Sequence, residues 1–171
     1  MFMAEKQSAP EPIRIETGVP GLILVQMLTV EDDQAYFELQ NANLDYWLEF
    51  GNAIDESPDV VKERRLEHGD GRFGIWLEGK LIGMVGYSTK HNKGEAEIGV
   101  LLDKEAVGHG YAATAVKTLT VYAKLRFSRV YAEVAPNNER SIKLLHRVGY
   151  QTSGRTVLRD WGEALVFEAP K

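Results

Sequence analysis

Gly108 and Gly110 flank a single residue, His109, and Tyr111 opens a segment with apolar residues at helical spacing. Ala112, Val116, Leu119 and Ala123 fall at i, i+4, i+7 and i+11. Just ahead, Ile98 to Leu102 is a short apolar run of the kind a buried strand shows. Glycine lets the backbone pass close to a ligand, because no Cβ stands in the way. The first N–H groups of the helix then face outward, with the positive end of the helix dipole behind them. Residues 107–112 can therefore hold a phosphate. The same pattern also fits a plain strand-to-helix turn, so the rest of the chain must decide.

A second strand-to-helix segment follows at Val130–Val134 and Asn138-x-x-Ser141, ending in Gly149-Tyr150. Asn138 is a good N-cap, and Ser141, one turn inside, can bond locally. Other groups offer less. The chain has no cysteine, which removes a thiolate nucleophile, a thiolate metal site and a disulfide framework. His68 and His91 sit in turns and are expected to be solvated. His146 is expected on an exposed helix face, while His109 either bonds a ligand or points outward. No His-x-x-x-His spacing suggests a metal, and none is expected.

The elements that must position these residues read as follows. Residues 1–12 form a flexible leader. Ile13–Thr17 is a short strand and Leu22–Leu28 a longer one. Thr29 caps a helix from Val30 to Ala42, with Asp32 suited to its positive end and Ala35, Leu39 and Ala42 on one face. Ser57-Pro58 starts another helix, closed by His68–Gly71. Arg72–Leu77 and Leu81–Thr89 make a hairpin across Glu78-Gly79-Lys80. The next strand ends at Leu102, and 98–102 connects to 130–134 through a strand–helix–strand crossover. Gln151–Val157 is a strand, Leu158–Gly162 a loop and Ala164–Phe167 a last strand. No repeat or linker divides the chain, and 171 residues suit one domain.

Composition is that of a soluble globular protein. A net charge of −5 and a pI of about 5.4 argue against general affinity for nucleic acid. No stretch has the length of a membrane span or the pattern of a signal peptide. The expectation is a cytoplasmic protein with no nucleic-acid or membrane partner.

Taken together, Glu97-Ile98-Gly99, Gly108-His109-Gly110-Tyr111-Ala112 and Asn138-x-x-Ser141 with Gly149-Tyr150 resemble the GNAT acyltransferases, and within them the RimJ/RimL-type group. The similarity runs from about Leu22 to Phe167. It implies an α/β single-domain GNAT fold over residues 13–171, with a mixed, mostly antiparallel central sheet flanked by helices on both faces. It also implies acetyl transfer from acetyl-CoA to a primary amine, either a protein N-terminus or a small molecule, by direct attack in a ternary complex.

By the same resemblance Val107, Gly108, His109, Gly110, Tyr111 and Ala112 hold the pyrophosphate. Val100, Leu101 and Leu102 pair with the pantetheine arm, a form of strand addition, and the N–H of Leu101 or Leu102 reaches the thioester oxygen. Glu97 is the candidate base. The leaving-group tyrosine of many GNAT enzymes falls on Leu145 and is absent, which makes Ser141 its substitute; Asn138 touches cofactor or water. Asn43 and Trp47, in the Asn-x-x-x-Leu-x-x-Trp-Leu segment, fall where the family builds its acceptor groove, or are simply core. A homodimer is compatible with the resemblance. Two departures stand out: Glu105 and Val107 occupy turn positions where the family carries Gln or Arg and a cation. They leave open an alternative, a non-catalytic acyl-CoA-binding or regulatory domain.

Overall fold

The computed structural model describes residues 10–49, 54–68 and 71–171. Most of the expected leader (residues 1–9), and Gly69 and Asp70 of the expected helix-closing turn, lie outside them. The strands are β1 (Arg14–Glu16), β2 (Leu22–Gln26), β3 (Arg72–Leu77), β4 (Lys80–Ser88), β5 (Glu95–Leu102), β6 (Arg129–Val134), β7 (Gln151–Arg159) and β8 (Gly162–Glu168). The helices are α1 (Val30–Ala42), α2 (Leu44–Glu49), α3 (Pro58–His68), α4 (Tyr111–Lys124) and α5 (Glu139–Arg147). The strands form one eight-stranded sheet in the order β1-β2-β3-β4-β5-β6-β8-β7. Every pairing is antiparallel except β5 with β6.

Alternation along the strands assigns the two faces of the sheet. Leu24, Phe73, Ile75, Val85, Ile98, Val130 and Ala132 pack with Val116 and Leu119 of α4 and Leu145 of α5. On the opposite face Met84 and Leu101 pack against Tyr36, Leu39, Trp47 and Val61 from α1, α2 and α3. The helices thus cover both faces.

Thr29 caps α1 in a full capping box with Asp32, whose carboxylate accepts from the Thr29 N–H at 2.8 Å. The inward face of α1 differs from the expectation. Ala42 is exposed, and Asp33, Tyr36, Leu39 and Gln40 turn inward. The reason is polar. Asp33 takes a two-pronged bond from Arg65 of α3 at 2.7 and 2.9 Å, and Gln40 bonds both backbone groups of Asp55 at 2.8 Å.

The expected loop at Leu158–Gly162 is also corrected. Leu158 pairs with Glu163 and Arg159 with Gly162, leaving a turn of only Asp160 and Trp161. Finally, the helix after β6 does not return the chain to a neighbouring strand. β7 lies at the sheet edge, with β8 inserted between it and β6.

Candidate active site

The parallel pairing of β5 with β6 covers only Glu95–Glu97 against Arg129–Tyr131. At that end Arg129 ties three strands together, donating from Nη1 to Glu95 at 2.9 Å and from Nε to Glu168 at 3.0 Å. Beyond Glu97 and Tyr131 the two strands part. A cavity of about 1130 Å³ opens there, lined by both strands, by Met84 and Gly86 of β4, by Val116 of α4 and by Asn138, Ser141 and Leu145 around α5.

Register decides which backbone groups face the gap. Asp103 N donates to Ile82 O at 2.7 Å, next to the Leu102–Gly83 pair. Antiparallel alternation then turns the N–H of Leu101 toward β4 and those of Val100 and Leu102 toward the gap. This corrects the expectation at Leu101: its side chain lines the cavity, but its N–H belongs to the sheet. The carbonyl of Leu102 accepts from Trp47 Nε1 at 3.0 Å.

That bond also corrects the groove reading of Trp47 and Asn43. Trp47 is 1% exposed, and Asn43 is 2% exposed with Nδ2 donating to Leu39 O and Oδ1 accepting from Lys104 N. Neither lines the cavity. Both brace the end of β5 from beneath, and the neighbouring Leu48 and Glu49 of α2 supply the wall.

After β5 a short 3-10 turn, Lys104–Ala106, leads to Val107. Gly108 and Gly110 follow, with φ of +89° and +83°. Gly110 is the N-cap of α4 and supplies no side-chain cap bond. The first helical N–H groups, at Tyr111, Ala112 and Ala113, are thus left for an anion. His109 is exposed and its ring stacks on that of Tyr111 at 5.6 Å. Glu105 is exposed, where solvent screens it. An added Cβ at Gly110 would meet nothing within 4 Å, so the left-handed backbone, not space, demands glycine. Gly110→Ala should therefore weaken binding of a phosphate-bearing ligand at this turn by about 1–2 kcal/mol, roughly 5- to 30-fold in Kd by isothermal titration, while the protein stays folded.

Inside the cavity Glu97, one-quarter exposed, stands at the apex where the strands part. Burial, then the charge of Glu133, pushes its carboxyl up to about 7, against the pull of Arg159 and Lys90. Glu133 is 2% exposed and held by Arg159 of β7, whose Nε donates to it at 2.6 Å with a second bond from Nη2. His91, expected to be solvated, stands with Nε2 3.7 Å from Glu97 Oε2. Ligand atoms of His91, Glu97 and Glu133 lie within 4.8 Å of one another. Such a trio could approach a cation, but Glu133 is already committed to Arg159.

Across the gap Asn138 caps α5 through a bond from Ser141 N at 3.1 Å. The Ser141 hydroxyl has no protein partner among the described residues, and Ser141 lines the cavity beside Leu144 and Leu145. The structure thus brings together Glu97, Val100, Leu101, Asn138 and Ser141. The 107–112 turn lies outside the cavity lining, at the N-terminus of the helix that contributes Val116.

A family model described as "Acetyltransferase (GNAT) domain" matches residues 22–151. The chain is 34% identical over 110 residues to an uncharacterised N-acetyltransferase, p20, of Bacillus licheniformis, covering 61% of each protein. It is 29% identical over 148 residues to "Probable N-acetyltransferase YjcK" of Bacillus subtilis strain 168, covering 77% of this chain and 82% of that one. Among solved structures, RimL, a ribosomal L7/L12 alpha-N-protein acetyltransferase in complex with coenzyme A, superposes with a TM-score of 0.72 at 15% identity, covering 91% of this chain and 96% of that one.

Proposed function

The chain belongs to the GNAT acetyltransferase family, and from that premise we propose that it transfers an acetyl group from acetyl-CoA to a primary amine by direct attack. One observation carries this reading: the gap between β5 and β6 has a carboxyl tuned to about 7 at its apex and outward-facing N–H groups along one edge. The Val100 and Leu102 edge suits the amide-bearing arm, and the α4 N-terminus suits the pyrophosphate.

The acceptor approaches from the face that carries Glu97, Leu101 and Met84, where Glu97 accepts the amine proton directly or through one water. His91 passes that proton outward. Ser141 donates to the departing sulfur from the opposite wall. A protein N-terminus, the acceptor class of RimL as a ribosomal L7/L12 alpha-N-protein acetyltransferase, fits a cavity open beside α2 and the Asp160–Trp161 turn.

The first measurement is a thermal-shift titration with acetyl-CoA, CoA and ATP. Saturation about a hundredfold above Kd adds roughly 2.7 kcal/mol, expected for the two CoA species and absent for ATP. CoA release with an amine panel follows. Stabilisation by CoA with no release on any amine would overturn the catalytic reading in favour of a CoA-binding domain.

A further inference from the structure

On the acceptor face of the sheet Arg72 pairs across to Gly86, and Gly86 to Gly99, so bare backbone runs from Arg72 to the strand that carries Glu97. All four residues line the cavity. Arg72 is 7% exposed. Its guanidinium sits 5.4 Å from the centre of the Tyr36 ring and donates from Nη1 to Val61 O at 3.3 Å. A guanidinium carries five donors, and no other hydrogen bond is made by this one among the described residues.

The carboxylates nearby face other arginines. Asp33 is held by Arg65 at 2.7 Å, and Asp55 lies 2.9 Å from Arg64 Nε with its Oδ1 making no hydrogen bond; both carboxylates favour the charge on Arg72 without bonding it. Three guanidiniums thus share two carboxylates, and Arg72 is the one without an ion pair among the described residues. A buried cation without an ion pair is costly unless something solvates or neutralises it. Arg72 is one of the residues that line the cavity, two strands removed from the strand that carries Glu97.

We propose that Arg72 is the acceptor-recognition residue for an anionic group, so that the substrate is a primary amine carrying a carboxylate several bonds from its nitrogen. The inference rests on the acetyl-transfer reading of the same cavity. Two strand spacings across the sheet and two residues along β5 separate the backbone positions of Arg72 and Glu97, about 12 Å. An α-carboxylate lies too near the amine to reach both ends. A carboxylate side chain in the first residues of a peptide, or the distal carboxylate of a small amino acid, spans them.

The test uses isosteric pairs: Ala-Asp amide against Ala-Asn amide, and 5-aminopentanoate against 5-aminopentanamide. The peptide and small-molecule arms separate the two sources of carboxylate. Each is scored by kcat/KM for CoA release and, independently of turnover, by isothermal titration into CoA-saturated protein. The carboxylate member of at least one pair should be favoured about 10- to 100-fold, the worth of one charge-assisted contact. Arg72→Gln should abolish that preference, and Arg72→Lys should restore part of it. Equal binding of both members by the wild-type protein overturns the inference, as does a preference that survives in Arg72→Gln. If no acceptor releases CoA, the acetyl-transfer reading fails, and the titrations still decide whether Arg72 selects a carboxylate.

Discussion

Glu97→Gln should lower kcat/KM by about 100- to 10,000-fold, the usual contribution of a positioned general base, with little change in acetyl-CoA affinity. The pH profile gives the sharper signature. A base works deprotonated, so wild-type kcat/KM should climb with pH to a bend near 7, where Glu97 ionises. That bend should be missing from the residual activity of the glutamine variant. A retained bend at full activity would remove Glu97 from the proton path.

Stability should move the other way. The Glu97 carboxyl ionises near 4.5 in the unfolded chain and near 7 when folded. Its contribution is therefore fully present below 4.5 and is lost as pH rises through 7. The difference is of order 3 kcal/mol. Glutamine avoids that loss, so the inactive variant should melt higher than wild type at pH 8, with the gap narrowing toward pH 5. Activity and stability then change in opposite directions at one residue, as expected where a charge is held out of water for chemistry rather than for folding.

The features legible in the sequence are the local ones. A glycine pair before a helical period, Thr29 and Asp32 three residues apart, and Asn138 before Ser141 each state their structure within one turn of chain, and the backbone realises them. The residues that tune the site were not legible, because nothing local links them. Glu133 meets Arg159 across 26 residues, and the contact requires β8 to enter between β6 and β7 and the hairpin to extend to Arg159. Arg72 reads as an ordinary strand-end charge until Asp33 is seen to be held by Arg65 and Asp55 to face Arg64. His91 is exposed, as its place in a turn implies, but its 3.7 Å approach to Glu97 depends on how the β4–β5 connection folds and has no local signal. Trp47 shows the converse. The resemblance left it between groove wall and core, and the bond to the Leu102 carbonyl makes it a brace.

Arg159→Met should be strongly destabilising, because it strands the Glu133 carboxylate at 2% exposure. Removing one partner of a buried pair typically costs about 3–5 kcal/mol. At this chain length that amounts to a fall of roughly 6–20 °C in Tm. Replacing both partners, Glu133→Gln with Arg159→Met, should recover most of the loss, since no charge is then left buried. Catalysis distinguishes this from a merely structural pair. Arg159 pulls the Glu97 carboxyl down, while Glu133 pushes it up more strongly. The bend near pH 7 should therefore shift to higher pH in Arg159→Met and return to or below its wild-type position in the double variant. A bend that stays fixed in both, with the Tm changes as expected, would mean that the pair ties β6 to β7 across β8 and has no part in setting the base.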